Sequence, residues 1–126
     1  MLPYDLIFDE RDDYLYACVT ADDIDRETAL DYLSKVADRI SDSPYEFLML
    51  ERDIPVMLPA PDLFFITRDF LKMLGPMRAA FVNKHATNEA ELEFAMLIGT
   101  NRGADYRLFK SVPEAEAWLL SEQNPR

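Results

Sequence analysis

Two short, uninterrupted apolar runs constrain the fold of this chain more than any other feature. Residues 47–50 and 79–82 contain no polar side chain, and each run is followed by a segment with helical periodicity. Continuous apolar runs are typical of strands in the interior of a parallel sheet, where helices cover both faces. Because a strand followed by a helix is the repeating unit of such a sheet, the sequence predicts an α/β domain.

Alternating or short apolar segments predict five strands, and longer amphipathic segments predict four helices. The strands are expected over residues 4–8, 14–20, 45–51, 78–83 and 106–109, and the helices over about 23–40, 62–74, 88–101 and from 111 onward. Residues 9–13 join the first two strands and are few enough for an antiparallel hairpin. The predicted order is β-β-α-β-α-β-α-β-α, a five-stranded mixed sheet with four helices in a single domain of residues 1–126.

The only cysteine, Cys18, lies in an apolar run and has no partner for an intramolecular disulfide. We therefore expect a buried, reduced thiol and a reducing compartment. No segment approaches the roughly 20 apolar residues that span a bilayer, and residues 1–9 do not have the pattern of a secretory signal. These observations predict a cytoplasmic protein.

The net charge of −11 is distributed unevenly along the chain. Residues 1–63 hold 16 acidic and 5 basic side chains, whereas residues 64–126 hold 8 of each. An acidic surface repels phosphate backbones and anionic headgroups, so nucleic-acid and membrane-surface binding are disfavoured. The charge either keeps the protein in solution or attracts a basic protein partner.

Few residues are arranged for catalysis. The sole histidine, His85, follows the fourth predicted strand, near the strand ends where sites of α/β proteins gather. Together with Arg52, Asp53 and Lys84 it defines a candidate polar pocket, although a surface position for the imidazole is the simpler interpretation. Cys18 is expected in mid-strand, away from the histidine, so a nucleophile activated by a base is not predicted.

The sequence also lacks the patterns expected of metal and cofactor sites. Asp9, Glu10, Asp12 and Asp13 form the densest acidic cluster, without the glycine and closing glutamate of a calcium loop. With three glycines in the chain, no glycine-rich turn is available to hold a phosphate. We therefore expect no metal, no cofactor and no enzymatic activity.

Two apolar features exceed what a solvated surface needs. The first is the proline-rich segment 54–61, with Met57 and Leu58, which leads into Phe64 and Phe65. Helical spacing places Phe65 on a charged face, where it either folds back onto its own loop or contacts a partner. The second is the third predicted helix, whose apolar residues, including Phe94 and Leu97, surround most of its circumference. A neighbouring helix or a second subunit would cover that excess.

The last third of the chain resembles a known superfamily. The apolar strand at 79–82, the Asn101-Arg102-Gly103 turn, the strand Tyr106-Arg107-Leu108-Phe109 and the ending Glu114-Ala115-Glu116-Ala117-Trp118-Leu119 follow one another at the expected spacing. They are similar to the STAS superfamily, named for sulphate transporters and anti-sigma-factor antagonists, and especially to its SpoIIAA-like bacterial branch. The resemblance implies a small regulatory or binding domain that uses no cofactor.

One departure from the STAS pattern concerns its phosphorylation switch. The anti-sigma-factor antagonists of this superfamily share a phosphorylatable serine or threonine at the start of the second helix. Here neither residue occurs between Ser43 and Thr67. The sequence therefore predicts a non-enzymatic interaction domain, with a protein partner or a homodimer. The alternatives are a carrier of a small apolar ligand or lipid and, last, a hydrolase-type enzyme using His85.

Overall fold

The computed structural model describes residues 4–11, 13–42, 45–55, 58–74, 77–83 and 105–121. Within these ranges the chain forms five strands and three helices. In chain order they are β1 (Asp5–Glu10), β2 (Leu15–Thr20), α1 (Arg26–Ser41), β3 (Phe47–Asp53), α2 (Ala60–Leu74), β4 (Arg78–Val82), β5 (Asp105–Phe109) and α3 (Val112–Ser121).

The strands form one mixed sheet in sequential order, β1-β2-β3-β4-β5. β1 pairs with β2 antiparallel, and the other three pairings are parallel. The hairpin between β1 and β2 is closed by a bond of 3.0 Å from the Arg11 N–H to the Tyr14 carbonyl. The α/β class, the five-stranded mixed sheet, the hairpin and the interior parallel strands are thus confirmed.

Helices α1 and α2 cover the first face of the sheet. Every second strand residue points toward them, among them Leu15, Leu48 and Ala79, all fully buried. Helix α1 begins after Asp25, whose carboxylate accepts a bond of 2.8 Å from the Thr28 N–H and so satisfies one of the free amides of the first turn.

Helix α3 covers β3, β4 and β5 on the second face. At its start the Ser111 hydroxyl accepts a bond of 3.5 Å from the Glu114 N–H, which caps the helix, and donates a bond of 2.9 Å to a Glu114 carboxylate oxygen. Met49 and Leu119 are fully buried between this helix and the sheet. Arg78 on β4 lies over the Trp118 ring at 4.7 Å, which ties the helix to the strand.

Some expectations differ from the structure. Strands β1 and β3 extend two residues beyond their predicted ends, to Glu10 and Asp53. Helical spacing places Met73 on the apolar half of α2, yet its side chain is exposed. Cys18 is half-buried rather than buried because it lies on the second face beside β1, whereas α3 packs on β3 to β5. The predicted helix over 88–101 lies outside the described residues.

Candidate functional site

The carboxyl ends of the parallel strands hold the first candidate site, Arg52 and Asp53 at the end of β3. The Arg52 guanidinium donates a bond of 3.0 Å to the Ile54 carbonyl. Burial lowers the pKa of Arg52, and the nearby Tyr32 phenol partly opposes that shift. This arginine therefore holds the chain as it leaves β3.

Asp53 is half-buried and lies opposite Thr20 in the pairing of β3 with β2. Asn83 follows β4, is buried, and donates its backbone N–H to the Phe109 carbonyl at 2.9 Å. The other two members of the candidate pocket, Lys84 and His85, lie outside the described residues. Of the four residues of the candidate pocket, the structure thus places Arg52 and Asp53, which are adjacent at the end of β3.

Two apolar residues of the loop after β3 belong to the core, whereas Pro55 and Pro59 of the same loop are exposed. Ile54 is fully buried and Leu58 is 7% exposed, both within the core under α1 and α2. Phe64, in the first turns of α2, is half-buried. The remaining apolar candidates, Met57, Phe94 and Leu97, lie outside the described residues.

Phe65 is covered by two cations of its own chain. The guanidinium carbon of Arg26, at the start of α1, lies 4.6 Å from the centre of the ring, and that of Arg68 on α2 lies 5.0 Å from it. A cation over an aromatic ring is attracted by the negative face of the ring's quadrupole. The two contacts explain why Phe65 lies on a charged face of α2: its ring links α2 to Arg26 at the start of α1.

Two tyrosines organise the second face of the sheet. The Tyr14 hydroxyl donates to a Glu116 carboxylate oxygen on α3 at 2.7 Å, and the Tyr16 hydroxyl donates to Glu51 on β3. Burial and the adjacent carboxylate raise the pKa of Tyr14 to about 12, and the same two causes raise the pKa of Tyr16. Both phenols therefore stay protonated near neutral pH and act as hydrogen-bond donors.

Next to these tyrosines lies a surface that we call the open face: Asp5, Ile7 and Asp9 on β1, with Cys18 on β2. Ile7 is 60% exposed, the highest value among the large apolar side chains whose burial the structure describes. It pairs in register with the half-buried Cys18. Asp5 and Asp9 are exposed and lie two residues to either side of Ile7, on the same face. Asp9 also pairs with the Arg11 guanidinium at 2.6 Å. The open face is thus an apolar centre between one carboxylate and one ion pair.

A shallow cleft lies at the opposite end of the sheet from Arg52. It has a volume of about 440 Å³ and lies between the carboxyl ends of α1 and α2 and the amino ends of β3 and β4. Its walls are apolar and aromatic with three polar side chains: Ile40, Ser41, Tyr45, Glu46, Phe47, Leu74, Met77 and Arg78. Arg78 also pairs with Asp105 at 3.4 Å, so its charge is partly balanced.

Ile7 was not among the candidates predicted from the sequence. Residues 6–8 are Leu, Ile and Phe, and three consecutive apolar residues conceal which of them faces the core. A signal was nevertheless present, since Asp5 and Asp9 share the alternation phase of Ile7. Leu6 and Phe8 have the opposite phase and pack against the core.

Comparisons with other proteins add no relative. No family model matches the sequence, and none of the curated proteins is significantly similar to it.

Across the described ranges, no three acidic, histidine or cysteine side chains are grouped so as to hold a metal ion. No helix in the same ranges is both long and apolar enough to cross a membrane.

Proposed function

We propose that this chain is a non-enzymatic, STAS-like interaction domain that binds a basic protein partner at the open face. The observation that carries the proposal is Ile7, which is 60% exposed on the sheet between Asp5 and the ion pair of Asp9 with Arg11. Burial of an exposed aliphatic side chain by a partner is favourable, because it removes apolar surface from water. The flanking acids favour a partner with basic residues.

The electrostatics of the chain support a basic partner. The net charge is −11, and the excess of acids lies in residues 1–63, which include the whole open face. A field of one sign speeds the encounter with a partner of the other sign and keeps like-charged molecules apart. The order of strands and helices supports the STAS resemblance, since a hairpin is followed by parallel strands and helices in alternation.

The experiment compares capture of partners by the natural chain and by two variants of equal charge. Ile7→Lys places a cation in the open face, and Met73→Lys adds the same charge at another exposed apolar residue, on α2. We expect Ile7→Lys to lose basic proteins that the natural chain and Met73→Lys both retain, and we expect salt to release them. Equal retention by all three proteins would contradict the proposal.

The cleft at the amino ends of β3 and β4 favours a second function, binding of a small apolar ligand. A volume of about 440 Å³ falls within the range of small-molecule sites, and apolar and polar atoms line the cleft in nearly equal share. Native mass spectrometry of the freshly purified chain would show a bound mass of a few hundred daltons, lost in Met77→Trp, which narrows the cleft. A clean unliganded mass would remove this alternative.

A further inference from the structure

The mode of binding follows from the edge of the sheet. β1 is an outer strand, since β2 is its one neighbour in the sheet of described residues. An outer strand presents a row of backbone N–H and C=O groups to which another extended chain can bond. We propose that the partner binds as an added strand along β1, through a segment in which basic residues flank an apolar one. This inference rests on the proposed function and specifies its geometry.

The hairpin bond fixes which backbone groups face outward. In an antiparallel pair, opposed residues alternate between those that bond to each other and those that do not. Arg11 and Tyr14 are a bonded pair, so Asp9 with Tyr16 and Ile7 with Cys18 are bonded pairs as well. The residues between them, Leu6, Phe8 and Glu10, therefore direct their N–H and C=O groups away from β2. These groups are the ones that an added strand would use.

The side chains of β1 determine what that strand carries. Asp5, Ile7 and Asp9 alternate on the open face, so a matching strand places a basic, an apolar and a basic residue opposite them. This arrangement of β1 is the same in either direction. A partner with the pattern Lys-x-Val-x-Lys therefore meets the same three residues whether it runs parallel or antiparallel.

A second copy of this chain matches the edge poorly. If two β1 strands paired antiparallel with Ile7 opposite Ile7, Asp5 of each copy would lie opposite Asp9 of the other. Directly opposed like charges destabilise a strand pair, and the Arg11 guanidinium, 2.6 Å from Asp9, reduces this repulsion without removing it at Asp5. Acidic residues on an outer strand are also a common protection against self-association of sheet edges. The charges thus favour a basic partner over a homodimer.

The test is a titration of the isotope-labelled full chain, followed by NMR, with the peptide Thr-Lys-Thr-Val-Thr-Lys-Thr. We expect the amide protons of Leu6, Phe8 and Glu10 to shift downfield as they gain hydrogen bonds, and that of Ile7 to shift less. Ile7→Lys should lower the affinity for the peptide about tenfold, because the variant loses an apolar contact and gains a charge that repels lysine. Met73→Lys should leave the affinity unchanged.

Two control peptides separate the outcomes. Thr-Thr-Lys-Lys-Val-Thr-Thr has the same composition without the alternation, and a third peptide replaces each lysine with glutamate. If the scrambled peptide bound as well as the alternating one, strand addition would be wrong while a basic partner would remain supported. Shifts at Leu6 and Phe8 that grew with protein concentration alone would overturn the inference in favour of a second copy. Absence of any shift along β1 would also overturn it.

Discussion

Replacement of Phe65 by leucine tests whether this residue serves the fold or a partner. Phe65→Leu keeps an apolar side chain and removes the ring that Arg26 and Arg68 contact at 4.6 and 5.0 Å. Cation–π contacts at exposed sites contribute about 0.5–1 kcal/mol each. Because both arginines are exposed, the two contacts together predict a loss of about 1–2 kcal/mol in the free energy of unfolding.

A double-mutant cycle isolates the contact itself. Arg26→Met keeps most of the length of the side chain and removes its charge, and Arg26 is a cleaner choice than Arg68, which also lies 3.9 Å from Asp69. Urea unfolding of the four proteins at 25 °C should give a coupling of about 0.5–1 kcal/mol with unchanged denaturant slopes.

A coupling near zero would refute this role of Phe65. If, in addition, Phe65→Leu unfolded like the natural chain but bound its partner less tightly, Phe65 would belong to a partner surface. That result would move the interaction site from the open face toward the loop before α2.

Three further predictions concern single polar groups. Tyr106→Phe should leave the free energy of unfolding unchanged or raise it by up to about 1 kcal/mol, because the buried phenol oxygen has no hydrogen-bond partner among the described residues; denaturant titration measures this. Tyr14→Phe should cost about 1 kcal/mol at pH 7 by loss of the bond to Glu116. Because the folded state raises the pKa of Tyr14 from 10.0 to about 12, this advantage of the natural chain is complete below pH 10 and lost as the pH rises through 12. Asp25→Asn should keep the helix cap but remove its pH dependence, since the bonds from Thr28 lower the pKa of Asp25. Its charged form therefore stabilises the fold above about pH 4, and thermal melts from pH 2 to 6 would show a larger loss of stability on acidification in the natural chain than in Asp25→Asn.

The architecture was accessible from the sequence where one local pattern decides it. The apolar runs at 47–50 and 79–82 predicted parallel interior strands. The first run lies in β3 and the second in β4, and each of these strands has a neighbour on both sides. The helix predicted from residue 111 onward became α3, because a helix cap is a local contact: the Ser111 hydroxyl accepts the N–H of Glu114, three residues along the chain.

The sites were less accessible because they depend on pairs of residues that are distant in sequence. Phe65 is covered by Arg26, and no pattern in a single sequence relates two residues on different helices. Ile7 was missed because it lies between two other apolar residues, so that alternation alone does not assign its face. Cys18 was expected to be buried because its apolar neighbours indicate a strand, without indicating where α3 packs.

Amide hydrogen exchange in the free chain tests the central claim most directly. Addition of a partner strand requires that the outer edge of β1 is uncovered, with the N–H groups of Leu6, Phe8 and Glu10 directed away from β2. It predicts fast exchange at these three amides and slow exchange at Ile7 and Asp9, whose N–H groups bond to β2. Slow exchange at Leu6 and Phe8 would mean that the chain itself or a second copy already covers the edge, which would contradict the account.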